Sequence, residues 1–151
     1  MKNLIIFVLV VLLALIVQFA NAQSFSIAMN AEKTVSGTQY GPALSFQTKS
    51  NWRAGAFYQS VMNVRPERGE IKSEFYGISA AAPLKKCDGF VFYATFRAGL
   101  SNNQFLVLVP GIETEIRLTP RASVAFGTSI RMQHVAASGK LMFRIFNNSS
   151  L

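Results

Sequence analysis

Two carboxylates and several arginines occupy positions from which they could meet inside a protein made of β-strands. Glu113, Glu115 and Arg117 stand at alternate positions, so in a strand they share one face. Same-face neighbours on a strand are about 7 Å apart, a spacing compatible with the carboxylate pair of a glycoside hydrolase. The other interpretation is an ion-pair network with arginines of neighbouring segments, namely Arg53, Arg97, Arg131 and Arg144.

His134 is the only histidine, and it allows a second enzymatic interpretation. With Ser129 or Ser138 as nucleophile, it would be the base of a lipid-active hydrolase. The segment 127–131 lacks the second glycine of a nucleophile elbow, so no hydrolase motif supports this pairing. A histidine at a strand end without a catalytic role is the simpler interpretation.

Metal and cofactor chemistry find no support in the residue types. Cys87 is the only cysteine, and one histidine and one cysteine do not make a transition-metal ligand set. Glycine-rich phosphate loops are absent from the sequence. We therefore predict no metal and no cofactor.

The segments that carry these residues alternate between apolar and polar side chains. In the clearest one, Phe90, Phe92, Phe96 and Leu100 share a face, with Arg97 on the other. Pro110 interrupts a later segment and suggests a bulge or a local opening there. The eight candidate strands cover residues 24–31, 40–49, 52–63, 71–82, 90–100, 106–118, 122–132 and 140–146.

The amino-terminal segment has the pattern of an export signal. Leu4 to Val17 is an unbroken apolar run that follows Lys2 and precedes Ala20-Asn21-Ala22. A run this short is marginal for a transmembrane helix, so we predict a signal peptide at residues 1–22 and a single domain at 23–151. Export makes a nucleic-acid partner improbable, although the net charge of +8 alone would allow one.

Composition favours placing the apolar face of this domain outside. Half of the residues are hydrophobic and only 15% are charged, whereas a soluble surface needs charge at roughly a quarter to a third of its positions. Strands of about ten residues suit a tilted crossing of the bilayer. Aromatic residues near the strand ends would suit interfacial girdles; they are Tyr40, Trp52, Phe90, Phe105 and Phe146.

The chain resembles the small eight-stranded outer-membrane β-barrels, such as the OmpA membrane domain and short Bacteroidetes-type barrel proteins. The resemblance rests on the export signal that ends at Ala22-Gln23, the hairpin rhythm and the terminal segment Lys140–Phe146. It implies an all-β, single antiparallel up-and-down barrel with both termini on the periplasmic side. Members often end on an aromatic residue read by the insertion machinery, whereas Phe146 here falls on the polar parity and five residues follow it.

Such a barrel has an interior just filled by side chains, which leaves no room for a sugar and favours ion pairs over a glycosidase site. The resemblance places the connections at 30–39, 64–70, 101–103 and 135–139 outside, and those at 50–51, 83–89 and 119–120 in the periplasm. The most charged outer loop offers a candidate contact surface formed by Arg65, Glu67, Arg68 and Glu70.

These observations predict a non-enzymatic outer-membrane barrel with a structural or surface-interaction role. Its partners would be outer-membrane lipid and, through its loops, another envelope or surface protein. Two alternatives remain open. One is a soluble exported barrel, periplasmic or secreted, that holds a small apolar ligand. The other is the lipid-active hydrolase that uses His134.

Overall fold

The computed structural model describes residues 22–34, 37–61, 74–131 and 133–147. They form eight antiparallel strands that close into one barrel in sequence order. The predicted all-β barrel is therefore confirmed, whereas the predicted signal peptide, apart from Ala22, lies outside the described residues. The strands are β1 (Ala22–Thr34), β2 (Gly37–Thr48), β3 (Arg53–Val61), β4 (Glu74–Cys87), β5 (Phe90–Ser101), β6 (Phe105–Arg117), β7 (Ala122–Arg131) and β8 (His134–Asn147).

Alternation in the sequence becomes two faces of one closed sheet. Successive side chains of a strand point to opposite faces, so closure sends every second residue into the lumen. The buried apolar core is small and lies inside, formed by Ala28, Ala43, Phe57, Phe75, Val107, Val109, Ala125 and Met142. The larger aliphatic and aromatic side chains of β5 to β8 point outward, among them Phe92, Phe96, Leu108, Ile112, Phe126, Ile130, Leu141 and Phe143.

Several strands are longer than the sequence pattern indicated. β1 runs to Thr34 and pairs with β2 as far as Gly37, so most of the predicted 30–39 connection is strand. The predicted 135–139 connection was wrong, because β8 begins at His134 and pairs there with Arg131. The predicted 83–89 turn is shortened to Asp88 and Gly89, the second of which has a φ of 85°. In these three hairpins, the backbone pairing of the two strands continues through polar residues that the sequence pattern predicted to be connections.

Three register shifts interrupt the described ladders, and two of them fall in segments for which the sequence predicted a turn or a face. The register between β4 and β5 shifts between Pro83 and Lys85, which brings Lys85 opposite Phe92. A second shift, between β1 and β8, brings Phe146 opposite Phe25. A bulge inserts one extra residue and so reverses the alternation beyond it. The predicted polar-face position of the Phe146 side chain lies outside what the structure describes.

Pro110 does not distort the pairing of β6 with β5, where it lies opposite Phe96 in regular register. On its other side, the ladder between β6 and β7 ends at Gly111 and Ser129. The expected local opening is therefore on the β7 side only, since proline has no N–H to donate to a ladder.

Among the described residues, we find no apolar helix of the length that a bilayer crossing requires.

Candidate functional site

The first ion-pair cluster of the lumen is built on the two glutamates of β6. Arg53 Nη2 donates to Glu113 Oε1 at 2.8 Å, and Lys140 Nζ donates to Glu113 Oε2 at 2.7 Å. Arg53 also lies 3.5 Å from Glu115, whose other oxygen accepts from Arg144 at 2.8 Å. Each carboxylate is therefore held by two cations from strands elsewhere in the barrel.

The second cluster is centred on Glu32, which is fully buried. Arg97 donates to both of its carboxylate oxygens, at 2.6 and 3.0 Å, in the bidentate geometry that makes such pairs strong. The Ser129 hydroxyl donates to Glu32 at 3.2 Å, and an Arg131 nitrogen lies 4.0 Å away. Arg97 also contacts the Gln59 side-chain oxygen at 3.4 Å.

Aromatic rings cover the arginines of both clusters. The Arg53 guanidinium lies 3.8 Å from the centre of the Tyr93 ring, and that of Arg131 lies 4.2 Å from the centre of the Phe75 ring. These distances are well inside the roughly 6 Å range of cation–π attraction. The two rings therefore fill space in the lumen and also stabilise the positive charge of the arginines that they contact.

A small cavity lies among the lumen side chains. Its volume is about 60 Å³, and Asn30, Arg53, Arg97, Glu113 and Lys140 are among the residues that line it. This is far below the roughly 300–1,000 Å³ of a ligand pocket, although it has room for a few waters. With both β6 glutamates already paired to cations, the glycosidase interpretation has neither the space nor the free carboxylates it needs.

The structure brings together six of the seven residues predicted to form the lumen network: Arg53, Arg97, Glu113, Glu115, Arg131 and Arg144. Arg117 was misplaced. It is exposed at the last position of β6, where its backbone N–H donates to the Gly89 carbonyl at 3.0 Å. Within the described residues it forms no ion pair, because its strand ends where the lumen opens to solvent.

Two members of the network were missed from the sequence. Glu32 was assigned to a connection, although it has the same parity as Ser26, Ala28 and Asn30 of β1, which are also buried. Lys140 was placed on the polar face of β8 but not in the network. The alternation of the predicted strand 24–31, extended by one residue, would have found Glu32.

His134 lies exposed at the first position of β8. Ser129, the nearer of its suggested partners in the fold, is buried in the lumen and bonded to Glu32 and Arg97. The structure therefore gives this serine a carboxylate and a guanidinium as neighbours. No group of three or more potential metal ligands is present among the described residues. The four outer-loop residues, Arg65, Glu67, Arg68 and Glu70, fall outside the described part of the chain.

The outer wall carries the large apolar side chains. Tyr40 and Phe105 are exposed towards one end of the barrel, and Trp52 and Phe90 towards the end where β1 begins and β8 ends. They frame the exposed aliphatic residues between them. Between the two ends of the barrel, ion pairs therefore lie inside and apolar surface lies outside, which is the reverse of a soluble protein, and the exposed charges lie near the strand ends.

No protein-family model and no curated protein sequence matches the chain. Several solved structures, however, are similar to this chain. A de novo designed transmembrane β-barrel superimposes with a TM-score of 0.66 at 5% identity, covering 82% of this chain and 97% of that one. The designed barrel TMB2.3 gives a TM-score of 0.65 at 12% identity, covering 83% and 96%. The chain shares the fold of these small transmembrane barrels.

Ail, the attachment invasion locus protein of Yersinia pestis, is also similar, with a TM-score of 0.49 at 12% identity, covering 80% of this chain and 95% of that one. Identities this low describe the fold and leave the family open. None of these similarities assigns the chain to the OmpA type or to the Bacteroidetes type of barrel.

Proposed function

We propose that this protein is an outer-membrane β-barrel that spans the bilayer and serves a structural or surface-interaction role without catalysis. The observation that carries the proposal is the inverted distribution of side chains. Ion pairs fill the lumen, whereas Ile78, Leu106 and Ile112 are more than three-fifths exposed on the outer wall. Exposed apolar surface on this scale needs a membrane or a partner to cover it.

The filled lumen favours an anchor over a pore. Buried arginines and glutamates cross it in two clusters, and the cavity among them holds only about 60 Å³. An aqueous channel is a property of barrels with many more strands. The part available for recognition is then the rim, where the loop with Arg65, Glu67, Arg68 and Glu70 is our candidate contact surface for an envelope or surface protein.

The soluble alternative needs the apolar face inside, around a ligand. The described lumen instead holds carboxylates, guanidiniums and a lysine. A small apolar ligand would have to displace these ion pairs and strand charges, which costs about 3–5 kcal/mol for each broken pair. The side-chain distribution therefore favours the membrane interpretation.

The experiment that tests the proposal is fractionation with heat modifiability. We expect the protein in the outer-membrane fraction, soluble only in detergent, with a faster gel mobility unboiled than boiled. Recovery from the aqueous periplasm in the absence of detergent would overturn the proposal. Unchanged membrane lipid composition in a strain carrying His134→Ala supports the non-enzymatic role, and a change in lipid products would favour the hydrolase.

A further inference from the structure

A groove crosses the outer wall between β4 and β7. Its volume is about 540 Å³, within the range of small-molecule pockets. Apolar side chains form its sides, and Lys85 is the one cation among the residues that line it. The one acid among them is Glu113, whose carboxylate is paired with Arg53 and Lys140 in the lumen. The groove lies on the face that we propose meets lipid, so this inference rests on the proposed membrane insertion.

The register explains how the groove forms. Lys85 pairs with Phe92, Phe92 with Thr114, and Thr114 with Phe126, so these four residues form one row across four strands. Directly paired residues share a face. Both phenylalanines are exposed, and the short Thr114 side chain between them leaves a notch. Ile112 and Thr128 extend the groove towards the middle of the barrel.

The bulge of β4 is what brings the lysine to this row. The extra residue, Leu84, shifts the register so that Lys85 lies opposite the outward-facing Phe92. Without the shift, Lys85 would oppose Val91, which is buried in the lumen. Bulges re-aim side chains in this way. The cation therefore lies on the outer wall, at the end of the barrel where β1 begins and β8 ends.

Further cations lie at the same end of the barrel. Lys86 pairs with the lumen-facing Val91, Arg117 ends β6 opposite the buried Ser123, and Arg121 lies in the next turn. All three are exposed, and the acid among them is Asp88. Positive charge next to an apolar groove is complementary to one class of membrane component, an anionic phospholipid.

We propose that this groove binds one anionic phospholipid. One acyl chain lies over Thr114 between the rings of Phe92 and Phe126, and the phosphate pairs with the Lys85 ammonium. Lys85 is the cation that selects a headgroup with net negative charge, because Lys86 and Arg117 lie on the lumen side of their strands. A zwitterionic lipid would fill the same notch, but its own cation would oppose those of the protein.

Native mass spectrometry of the full chain tests this proposal. The protein is incubated in detergent with equal amounts of phosphatidylglycerol and phosphatidylcholine, and the retained lipid is counted. We expect phosphatidylglycerol to predominate. Lys85→Glu should lower its excess at least about fivefold, the effect of one cation near a membrane surface. Thr114→Trp fills the notch and should reduce retention of both lipids.

Matched controls separate a site from general attraction. Lys49→Glu reverses a charge at the same end but on the β2–β3 turn, and Lys33→Glu reverses one on β1 at the other end. Both should leave the lipid ratio unchanged. Equal retention of the two lipids by the unmodified protein, or an equal effect of Lys49→Glu and Lys85→Glu, would overturn the proposal.

Folding is checked separately for every variant by the gel shift in pure phosphatidylcholine vesicles. If Thr114→Trp does not fold, Phe126→Ala removes a side of the groove instead and should also reduce retention. Failure of the unmodified protein to insert into these vesicles would contradict the proposed membrane function. Insertion without lipid selectivity would contradict the groove proposal alone. Millimolar inorganic phosphate should not displace the lipid, because it cannot occupy the notch.

Discussion

Arg53 and Glu113 are 60 positions apart in the sequence, yet Arg53 Nη2 lies 2.8 Å from Glu113 Oε1. They belong to β3 and β6, which share no ladder in the barrel order. The pair therefore joins two walls across the lumen that backbone hydrogen bonds do not connect. In the described lumen, five cations (Arg53, Arg97, Arg131, Lys140 and Arg144) contact only three acids (Glu32, Glu113 and Glu115).

This imbalance makes the acids more critical than the cations. Glu113→Gln leaves Lys140 without an ion-pair partner and Arg53 with only Glu115, which Arg144 also contacts, so we expect it to lower the free energy of unfolding by about 3–5 kcal/mol. Lys140→Met leaves Glu113 paired with Arg53, and Lys140 is 27% exposed, so its loss should cost about 1 kcal/mol.

Urea unfolding of both variants in phosphatidylcholine vesicles, followed by the gel shift, measures the difference. Ser60→Ala, on the strand that carries Arg53 but outside the network, serves as the control for handling of the vesicles. Equal losses of unfolding free energy for Glu113→Gln and Lys140→Met would show that the excess of cations in the lumen does not make its acids more important for stability.

The two clusters should behave as independent units, because they share no ion-pair partner. Glu32→Gln removes the charge that holds Arg97 and Arg131 but keeps the shape of the side chain. We expect a loss of about 3–5 kcal/mol, since two buried guanidiniums lose their counter-ion. The double variant with Glu113→Gln should lose the sum of the two single losses to within about 0.5 kcal/mol. A clear departure from additivity in the same unfolding assay would mean that the clusters are coupled through the cavity.

Much of this fold follows from a period of two. Phe90 to Leu100 and Ile112 to Ile116 alternate without interruption, and their faces in the barrel are those that the sequence predicts. In a strand without a bulge, every second residue stays on the same face. A closed sheet has one inner and one outer face, so the sequence must indicate only which of the two sets of residues points inward. The low proportion of charged residues indicates that the apolar set points outward.

The parts of the structure that the sequence did not predict depend on where a bulge interrupts the alternation and where a strand ends. The β4 bulge at Leu84 has no residue signature of its own, so Lys85 could not be assigned to the outer wall from its neighbours. Arg117 has the correct parity but lies beyond the buried part of the lumen. Glu32 was missed because a run of polar residues looks like a turn, although a lumen is polar as well.

Glycine is needed where strands of a narrow barrel approach closely. A Cβ added to Gly77 would collide with the Ala98 backbone oxygen, whereas one added to Gly139 would meet no atom within 4 Å. Gly77→Ala therefore requires a backbone shift, and we expect it to cost about 1–3 kcal/mol. Gly139→Ala should be neutral or stabilise by up to about 1 kcal/mol, because it reduces the freedom of the unfolded chain. Both values come from the same urea titration, and equal effects would contradict the close approach of β4 and β5.

Ile112 and Leu118 offer a direct test of whether the outer wall is in lipid. They are 62% and 59% exposed, so a soluble barrel would tolerate a lysine equally at either position. In a bilayer the positions differ, because Ile112 lies in the middle part of β6 and Leu118 follows its last residue. A lysine on the lipid face costs about 2–4 kcal/mol near the midplane and about 0–1 kcal/mol near the interface.

We therefore expect Ile112→Lys to lower the free energy of unfolding in vesicles by at least about 2 kcal/mol and Leu118→Lys to change it by less than about 1 kcal/mol. Ile112→Ala separates the cost of the charge from the loss of the side chain. Because both lysines would be equally hydrated in water, similar small effects at the two positions would argue that the wall faces solvent. A difference that depends on depth, at equal exposure, can arise only from an apolar layer around the barrel.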